Sequence, residues 1–263
     1  MDLATIGGVI LAFAMLLGAF ALEGGSMSML LVGTAAMIVF GGTIGATVVS
    51  FPLEAIKKVP YFLKSVFKND QIDFDGYLEL LVKNADKARR EGFLSLENQL
   101  DQIDDDFLVK GLQMVVDGAD PEMTKSLMQM EIDVFEKNEM VGAQMFMTAG
   151  GFAPTMGIIG TVMGMVNVLS NLSNPDELGG AIAVAFLATL YGIASANLLW
   201  IPFANKIKNN TKKRVFLMEM MVEGIMSIQS GENPRILREK LKIYLPSETR
   251  EELDTREKEK MVM

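Results

Sequence analysis

TAGGFAPTMGIIGTVMGMVNVL, residues 148–169, decides the fold of this chain, because it is uncharged throughout and repeats glycine at intervals of three and four residues. It lies within a longer uncharged segment that runs from residue 140 to residue 175. A bilayer-crossing helix needs about 20 apolar residues, and a helix of a soluble protein seldom stays uncharged for that length. The segment is therefore predicted to span a membrane.

Three further segments are also uncharged and long enough to span a membrane. Residues 3–22, 24–53 and 178–205 contain no Asp, Glu, Lys or Arg, although the 263-residue chain has 33 acidic and 24 basic residues. The sequence thus predicts an all-α membrane protein with four transmembrane helices and long helices that extend into a cytoplasmic helical domain. Ala19 and Ala21 resemble a signal-peptide cleavage site, but no basic residue precedes them, which favours a retained first helix.

The positive residues predict the orientation. All 24 Lys and Arg lie between residues 57 and 137 or between residues 206 and 260, and the short connections around Glu23 and around Asp176 and Glu177 have none. Lysine and arginine stay on the cytoplasmic side during insertion. Both polar segments and both termini are therefore predicted to be cytoplasmic in a multi-pass protein of the cytoplasmic membrane.

Composition argues against several classes of function. The chain has no Cys and no His, which removes disulfides and the usual zinc, haem and thiol chemistry, so no cofactor is predicted. Its net charge of −9 argues against a nucleic-acid partner. An enzyme in the membrane would need a nucleophile, a metal set or a carboxylate pair at membrane depth, and the sequence shows none. The chain is predicted not to be an enzyme.

Small residues follow one face of the third and fourth spans. They are Gly157, Gly160 and Gly164 in the third span and Ala181, Ala185, Ala188, Gly192 and Ala196 in the fourth. Small residues let helix backbones approach closely in lipid, so these helices should pack against other helices, within this chain or in a partner. Pro154 and Pro202 lie near opposite ends of the pair, where a proline can kink a helix or begin or end it.

Hydroxyl groups are the polar groups of these spans that suit an ion path. Thr161 lies on the glycine face of the third span, and Thr189 lies on the small-residue face of the fourth. Each could donate to its own helix backbone, or help to replace the water around a passing cation. Ion transport coupled to work needs an ionisable group near the bilayer centre, and these spans have none. That carboxylate would have to come from a second polypeptide.

Several segments, in order, resemble one known family. They are MDLATIGGVI (1–10), ADKARREGFLSLE (85–97), APTMGIIGTVMG (153–164), AVAFLATLYG (183–192) and GENPR (231–235). The chain resembles the A subunit of the bacterial flagellar motor stator, the MotA/PomA type within the MotA/TolQ/ExbB group. The resemblance implies an inner-membrane homopentamer around a dimer of B subunits of the MotB/PomB type, whose transmembrane Asp carries the ion for torque generation, motility and chemotaxis. Membrane lipid is the remaining expected partner.

The resemblance also implies roles for charged residues. Asp86, Arg89, Arg90 and Glu97 correspond to charges that engage the rotor switch protein FliG, and Arg235 is a weaker addition. Charges on a rim can steer and release a moving partner without a deep, slow interface. Without the resemblance, ordinary solvated helix charges would be the preferred interpretation.

The same resemblance assigns the ion path. Pro154 and Pro202 match prolines that link ion occupancy to helix movement, while Thr161 and Thr189 match hydroxyls beside the ion route, with Ala185 and Ala188 on the same strip. Thr161 after Gly160 is typical of sodium-driven stators, although Ala188 replaces a threonine of that pattern. Sodium is therefore predicted over the proton as the transported ion. A TolQ/ExbB-like energiser of an envelope system is the alternative, and the segment at residues 89–97 favours a rotor partner.

Four regions follow from these assignments. Residues 1–50 are predicted to form the first two spans, at the periphery and facing lipid. Residues 51–145 form a cytoplasmic helical domain with an interfacial helix and the rotor-contact segment. Residues 146–205 form the third and fourth spans, which line the ion path. Residues 206–263 form cytoplasmic C-terminal helices and a disordered tail.

Overall fold

A computed structural model describes residues 2–68, 72–170, 175–247, 249–251 and 253. For residues 175–177 it describes the backbone only. Within these residues the chain forms helices and turns and no strand, as the sequence predicts. Four helices are long and apolar enough to cross a membrane: Leu3–Leu22, Met27–Ser50, Pro121–Ser170 and Leu178–Gln229. They correspond in order to the four uncharged segments. Of the predicted disordered tail, residues 247, 249–251 and 253 are instead helical, and Leu253 is buried in an apolar core; the residues after 253 lie outside the described part of the chain.

The chain divides into two compact units. The first, which we call the membrane unit, comprises residues up to 70 and residues 138–210. The second, the polar unit, comprises residues 71–137 and the residues from 211 onward.

The first span, Leu3–Leu22, begins at a capped end. The carboxylate of Asp2 accepts hydrogen bonds from the backbone N–H of Ala4 at 3.1 Å and from the Thr5 hydroxyl at 2.7 Å, and it pairs with Lys206. The hydrogen bond from Lys206 holds the pKa of Asp2 far below its ordinary range. The amide of Asp2 also donates to the Phe67 carbonyl at 2.9 Å. One residue thus ties the start of the first span to two other helices of the membrane unit.

The second span is irregular. It combines the 3₁₀ turn Met27–Leu30, the helix Gly33–Ala36, the π-helical turn Met37–Gly41 and the helix Gly42–Ser50. Two short helices follow, Leu53–Ile56 and Val59–Phe67. In the second of these, Phe62 and Val66 are buried against Phe146 and Phe203 of the third and fourth spans.

The third span belongs to the 50-residue helix Pro121–Ser170. The fourth begins with Pro175–Ser195, passes through the π-helical turn Ala196–Trp200 and continues as Ile201–Gln229. Asp176 and Glu177, which the sequence places in a connection, therefore lie in the first turn of a helix. Proline is favoured at the first helical position, which fits Pro175 at the start of this helix.

The polar unit has its own apolar core. It is built from Phe74–Glu91, Asp106–Val116, the amino-terminal part of Pro121–Ser170, the carboxyl-terminal part of Ile201–Gln229 and Pro234–Leu241. The turns Phe93–Leu96 and Lys242–Tyr244 and the short helix Glu97–Leu100 complete it. Leu78, Leu81, Leu108 and Met221 are among its fully buried side chains.

The polar unit contains a partly buried ion pair between Asp105 and Arg214. Asp105 is only 7% exposed and accepts hydrogen bonds from the Arg214 guanidinium at 2.8 and 3.1 Å and from the Tyr77 hydroxyl at 2.8 Å. It also caps the next helix by accepting from the amides of Phe107 and Leu108, each at 3.2 Å. Burial raises the pKa of Asp105, but the hydrogen bonds from Arg214 and Tyr77 outweigh it and lower that pKa overall. Burial and the Asp105 carboxylate raise the pKa of Tyr77 to about 12.

Candidate functional site

The two hydroxyls singled out in the sequence lie in direct contact. The Oγ1 atoms of Thr161 and Thr189 are 2.5 Å apart, across the seam between the third and fourth spans. Thr161 Oγ1 also lies 2.9 Å from the Ala185 carbonyl oxygen and 3.2 Å from that of Gly157. Thr189 Oγ1 lies 3.4 Å from the same Gly157 oxygen. We call these two hydroxyls and two carbonyls the oxygen cluster.

The hydrogens available to the oxygen cluster limit what it can do. Each hydroxyl has one hydrogen to donate and can also accept, whereas each carbonyl can only accept. If both hydroxyls donate to backbone carbonyls, their lone pairs stay available to a cation, for which oxygen ligands are suited. If one donates to the other, the cluster serves as a clasp between two helices. Both threonine side chains are half-buried, so the cluster borders the outside of the chain.

Close approach of the two backbones brings these oxygens together. A Cβ atom added to Gly157 would lie 2.8 Å from the Ala188 carbonyl oxygen and 3.0 Å from the Cα of Thr189. A Cβ atom on Gly192 would lie 3.2 Å from the Cα of Gly157. Gly160 and Gly164 lie against Ala188 and Ala185 in the same way. The small-residue faces of the third and fourth spans therefore meet each other within one chain.

Gly157→Ala is expected to lower the stability of this seam by about 1–3 kcal/mol, because the added methyl group meets backbone atoms that cannot rotate away. Thermal unfolding of the purified protein in detergent measures the effect. Gly151→Ala is the matched control, since a Cβ atom there has nothing within 4 Å. Equal melting temperatures for the two variants would show that the seam is not tightly packed.

The two prolines lie within continuous helices. Pro154 is inside Pro121–Ser170, and Pro202 is the second residue of Ile201–Gln229. Proline cannot donate the usual helical hydrogen bond, and its ring crowds the carbonyl four residues earlier. The π-helical turn Ala196–Trp200 directly precedes Pro202 and provides a wider turn at this point. Both prolines are therefore positions where the helical hydrogen-bond ladder is weakened without ending the helix.

Two polar groups in the membrane unit have roles that the sequence did not predict. The hydroxyl of Tyr191 donates to the Leu30 carbonyl and accepts from the Val32 amide at 3.0 Å, which fastens the start of the second span to the fourth. Asn197 is exposed on the fourth span and donates to the Ile193 carbonyl at 2.9 Å. A polar side chain inside an apolar span usually needs a hydrogen-bond partner. The presence of Tyr191 and Asn197 in the fourth span was therefore the sequence signal for these contacts.

The predicted rotor-contact residues all lie in the polar unit. Arg89 and Arg90 are exposed near the end of Phe74–Glu91, and Arg90 pairs with Asp86 at 3.0 Å. Glu97 is exposed on the next helix, beyond a turn at Gly92, whose φ of 83° favours glycine. Arg235 is exposed at the start of Pro234–Leu241.

The helices that carry these residues pack on each other. Pro234–Leu241 lies against Phe74–Glu91, and the guanidinium of Arg238 binds both carboxylate oxygens of Glu79, at 2.5 and 2.6 Å. Within the described part of the chain, Arg89, Glu97 and Arg235 have no oppositely charged group within 4 Å. Their charges are therefore available to another molecule.

The sequence matches two family models. Residues 6–92 match the motility protein A amino-terminal model, and residues 99–220 match the MotA/TolQ/ExbB proton channel family. Motility protein A of Bacillus subtilis is 42% identical over 95% of this chain and 93% of its own length. The chemotaxis protein PomA of Vibrio alginolyticus is 34% identical over 93% of this chain and 96% of its own length.

A solved structure agrees with these matches. One chain of the flagellar MotAB stator complex from Bacillus subtilis has a TM-score of 0.89 and 42% identity, and the match covers 94% of this chain and 98% of that one. These relatives are stator channel subunits rather than enzymes, which confirms the prediction of a non-enzymatic protein. The chain belongs to the MotA/TolQ/ExbB proton channel family, in its motility protein A branch.

Proposed function

We propose that this chain, a stator subunit of the MotA/PomA type, forms a cation path together with a B subunit and converts cation flow into torque on a flagellar rotor. The oxygen cluster carries the proposal, because it places two hydroxyls and two carbonyls on spans that contain no charged residue between 140 and 170 or between 178 and 205. Such a path has ligands but no titrating group. The aspartate of a companion chain would supply it.

In the proposed mechanism this chain supplies the oxygen ligands and the companion chain supplies the carboxylate. A cation entering from outside reaches the companion carboxylate beside Thr161 and Thr189, where the oxygen cluster replaces part of its water. Binding neutralises the carboxylate, and release towards the cytoplasm restores its charge. Each change alters which A subunit the carboxylate prefers. A ring of five A subunits around two B subunits cannot satisfy both carboxylates equally, so it would step around them.

Pro154 and Pro202 suit the mechanical part of this proposal. Contrary to the expectation of opposite ends, both lie near the same end of the paired spans, since Gly150, four residues before Pro154, packs against Trp200 and Ile201. At each proline the helical ladder lacks a hydrogen bond. A change of charge at the oxygen cluster can then tilt the helices at these points at a low energetic cost. The polar unit would face the cytoplasm, where the rotor lies, because lysines follow the second and fourth spans at residues 57, 58, 64, 68, 206 and 208.

Sodium is the proposed ion, since Thr161 and Thr189 offer a neutral oxygen cluster to a hard cation. Swimming speed of cells that depend on this chain and its B subunit should rise with external sodium at constant pH and ionic strength. Replacing sodium with potassium provides the control for ionic strength. Full motility without sodium would instead identify the proton as the coupling ion.

The proposed rotor contact is FliG, engaged by exposed charges of the polar unit. Arg89→Glu and Glu97→Lys should each reduce swimming strongly, because each reverses a charge that has no ion partner within the described residues of the chain. Membrane level and ion leak should stay unchanged. Lys125→Glu reverses another exposed charge of the polar unit and is the matched control. Loss of complex assembly in the Arg89 and Glu97 variants would mean that these residues serve folding instead.

A further inference from the structure

A cavity of about 410 Å³ lies within the membrane unit, away from the oxygen cluster. Its walls come from the second span, the helix Val59–Phe67 and the third and fourth spans, and they include Thr43, Val48, Leu63, Met145 and Trp200. The volume falls within the range of about 300–1,000 Å³ that is usual for small-molecule sites. The lining is almost wholly apolar, so an occupant must present hydrocarbon.

Two polar atoms at the cavity have no partner in the described part of the chain. The hydroxyl of Thr43 is fully buried, and so is the indole Nε1–H of Trp200, and neither makes a hydrogen bond. The neighbouring hydroxyl of Thr47 behaves differently, since it donates to the Thr43 carbonyl at 2.8 Å. Buried polar groups in folded proteins are nearly always paired. Both residues line the cavity, and their polar atoms are covered by neighbouring side chains, so a partner that enters the cavity pairs with them only when those side chains move aside.

Both unpartnered groups lie at irregular turns. Thr43 comes just after the π-helical turn Met37–Gly41, and Trp200 is the last residue of the π-helical turn Ala196–Trp200. These are the two π-helical turns of the described residues; the second contributes Leu199 and Trp200 to the cavity lining, and Thr43 of the lining lies two residues after the first. Single π turns cost stability and are frequent at functional sites. Because Thr43 and Trp200 both line this cavity, we interpret the cavity as a binding site rather than as imperfect packing.

The surroundings of the cavity indicate its occupant. Ile44, Val48 and Leu63 are 54%, 45% and 40% exposed, so one wall is open to the hydrocarbon around the helices. Lys57 and Lys58 are exposed beside the lining residues Ile56 and Val59. A phospholipid offers hydrocarbon for the cavity, ester carbonyls for the hydroxyl and N–H donors, and a phosphate for the lysines. A helix from a second copy offers no comparable acceptors, because its carbonyls are used internally.

We propose that this cavity binds one acyl chain of a membrane phospholipid, with its ester carbonyl near Thr43 and Trp200 and its phosphate at Lys57 and Lys58. The site is separate from the oxygen cluster and does not depend on which ion is transported. A lipid bound there would fix the second span and the helix Val59–Phe67 against the third and fourth spans.

Photolabelling tests this site. The intact complex of this chain with its companion is placed in nanodiscs that contain a phospholipid with a diazirine in the acyl chain, and adducts are mapped by mass spectrometry. Adducts are expected on Val48, Leu63 and Met145, and Val48→Phe should lower their yield several-fold by filling the cavity. Val49→Phe is the matched control, since Val49 is 88% exposed, lies outside the lining and should leave the yield unchanged.

Fluorescence provides a second measurement that needs no cavity-filling variant. Trp200 is the single tryptophan of the chain, so its emission is the difference between the native complex and the Trp200→Phe complex. Phospholipids with brominated acyl chains should quench that emission strongly, and Thr43→Val should weaken the quenching at low lipid content. Adducts spread evenly over exposed apolar residues, without quenching of Trp200, would overturn the proposal. Cross-links from the cavity to a second copy of the chain would do the same.

Discussion

Thr161→Val is expected to lower ion flux and swimming speed about tenfold or more, because it keeps the shape of the side chain and removes one hydroxyl of the oxygen cluster. A hydrogen bond or ligand contact worth ~1.4 kcal/mol corresponds to about that factor. The double variant with Thr189→Val should abolish flux, since only the Gly157 and Ala185 carbonyls then remain. Flux into vesicles that contain the complex with its B subunit measures the effect directly.

Two controls separate ligation from packing in this experiment. Thr161→Ser keeps the hydroxyl and should retain most of the flux. Thr155→Val removes an exposed hydroxyl of the same span, one that bonds the Phe152 carbonyl at 2.7 Å and lies outside the oxygen cluster. It should leave the flux near the native level. Native flux in the double threonine variant would show that the cluster is only a helix clasp.

Asp105→Ala is expected to destabilise the polar unit by about 2–4 kcal/mol, since it removes a helix cap and leaves Arg214 and Tyr77 without their carboxylate. The Arg214 side chain is 32% exposed, and water can partly replace its lost partner, which keeps the estimate below that for a fully buried pair. Urea unfolding followed by circular dichroism measures the change. Asp104→Ala is the matched control, because Asp104 is exposed and does not cap the helix.

The stability that Asp105 contributes to the polar unit decreases in acid. The pKa of Asp105 is lowered in the folded chain from its ordinary value of 3.8, so the unfolded chain binds more protons in acid. The contribution is therefore fully present above that ordinary value and is lost as the pH falls through the lowered folded pKa. Asp105→Asn should flatten this acid-dependent loss of stability. An unchanged acid dependence would contradict the role given to the Asp105–Arg214 pair.

The four spans could be predicted because a membrane-spanning helix is recognised by the length of an uncharged run along the sequence. Uncharged runs long enough to cross a bilayer are visible in the sequence without any knowledge of packing. The long helix Pro121–Ser170 follows for the same reason, since no proline or polar break separates its amino-terminal part from residue 140. The fourth span begins at Leu178, as its uncharged run predicts, but its helix already begins at Pro175, so Asp176 and Glu177 belong to that helix rather than to a connection.

The candidate site was predictable in composition and not in geometry. Small residues at spacings of three and four indicated that the third and fourth spans pack closely, and two hydroxyls lay on those faces. The contact of Thr161 with Thr189 joins residues 28 positions apart and depends on the rotation of both helices. The pairing of Asp105 with Arg214 spans 109 positions and has no local sequence signal. The π-helical turns depend on hydrogen bonds within each turn, which residue spacing does not reveal.

Cation flux into vesicles that contain this chain alone, compared with vesicles that contain it together with its B subunit, tests the central claim most directly. The chain alone should show no selective cation flux, because its spans provide the oxygen cluster and no carboxylate. The complex should conduct, and replacing the aspartate that we propose for the transmembrane helix of the B subunit with asparagine should stop it. Selective cation flux through vesicles that contain only this chain would contradict the account.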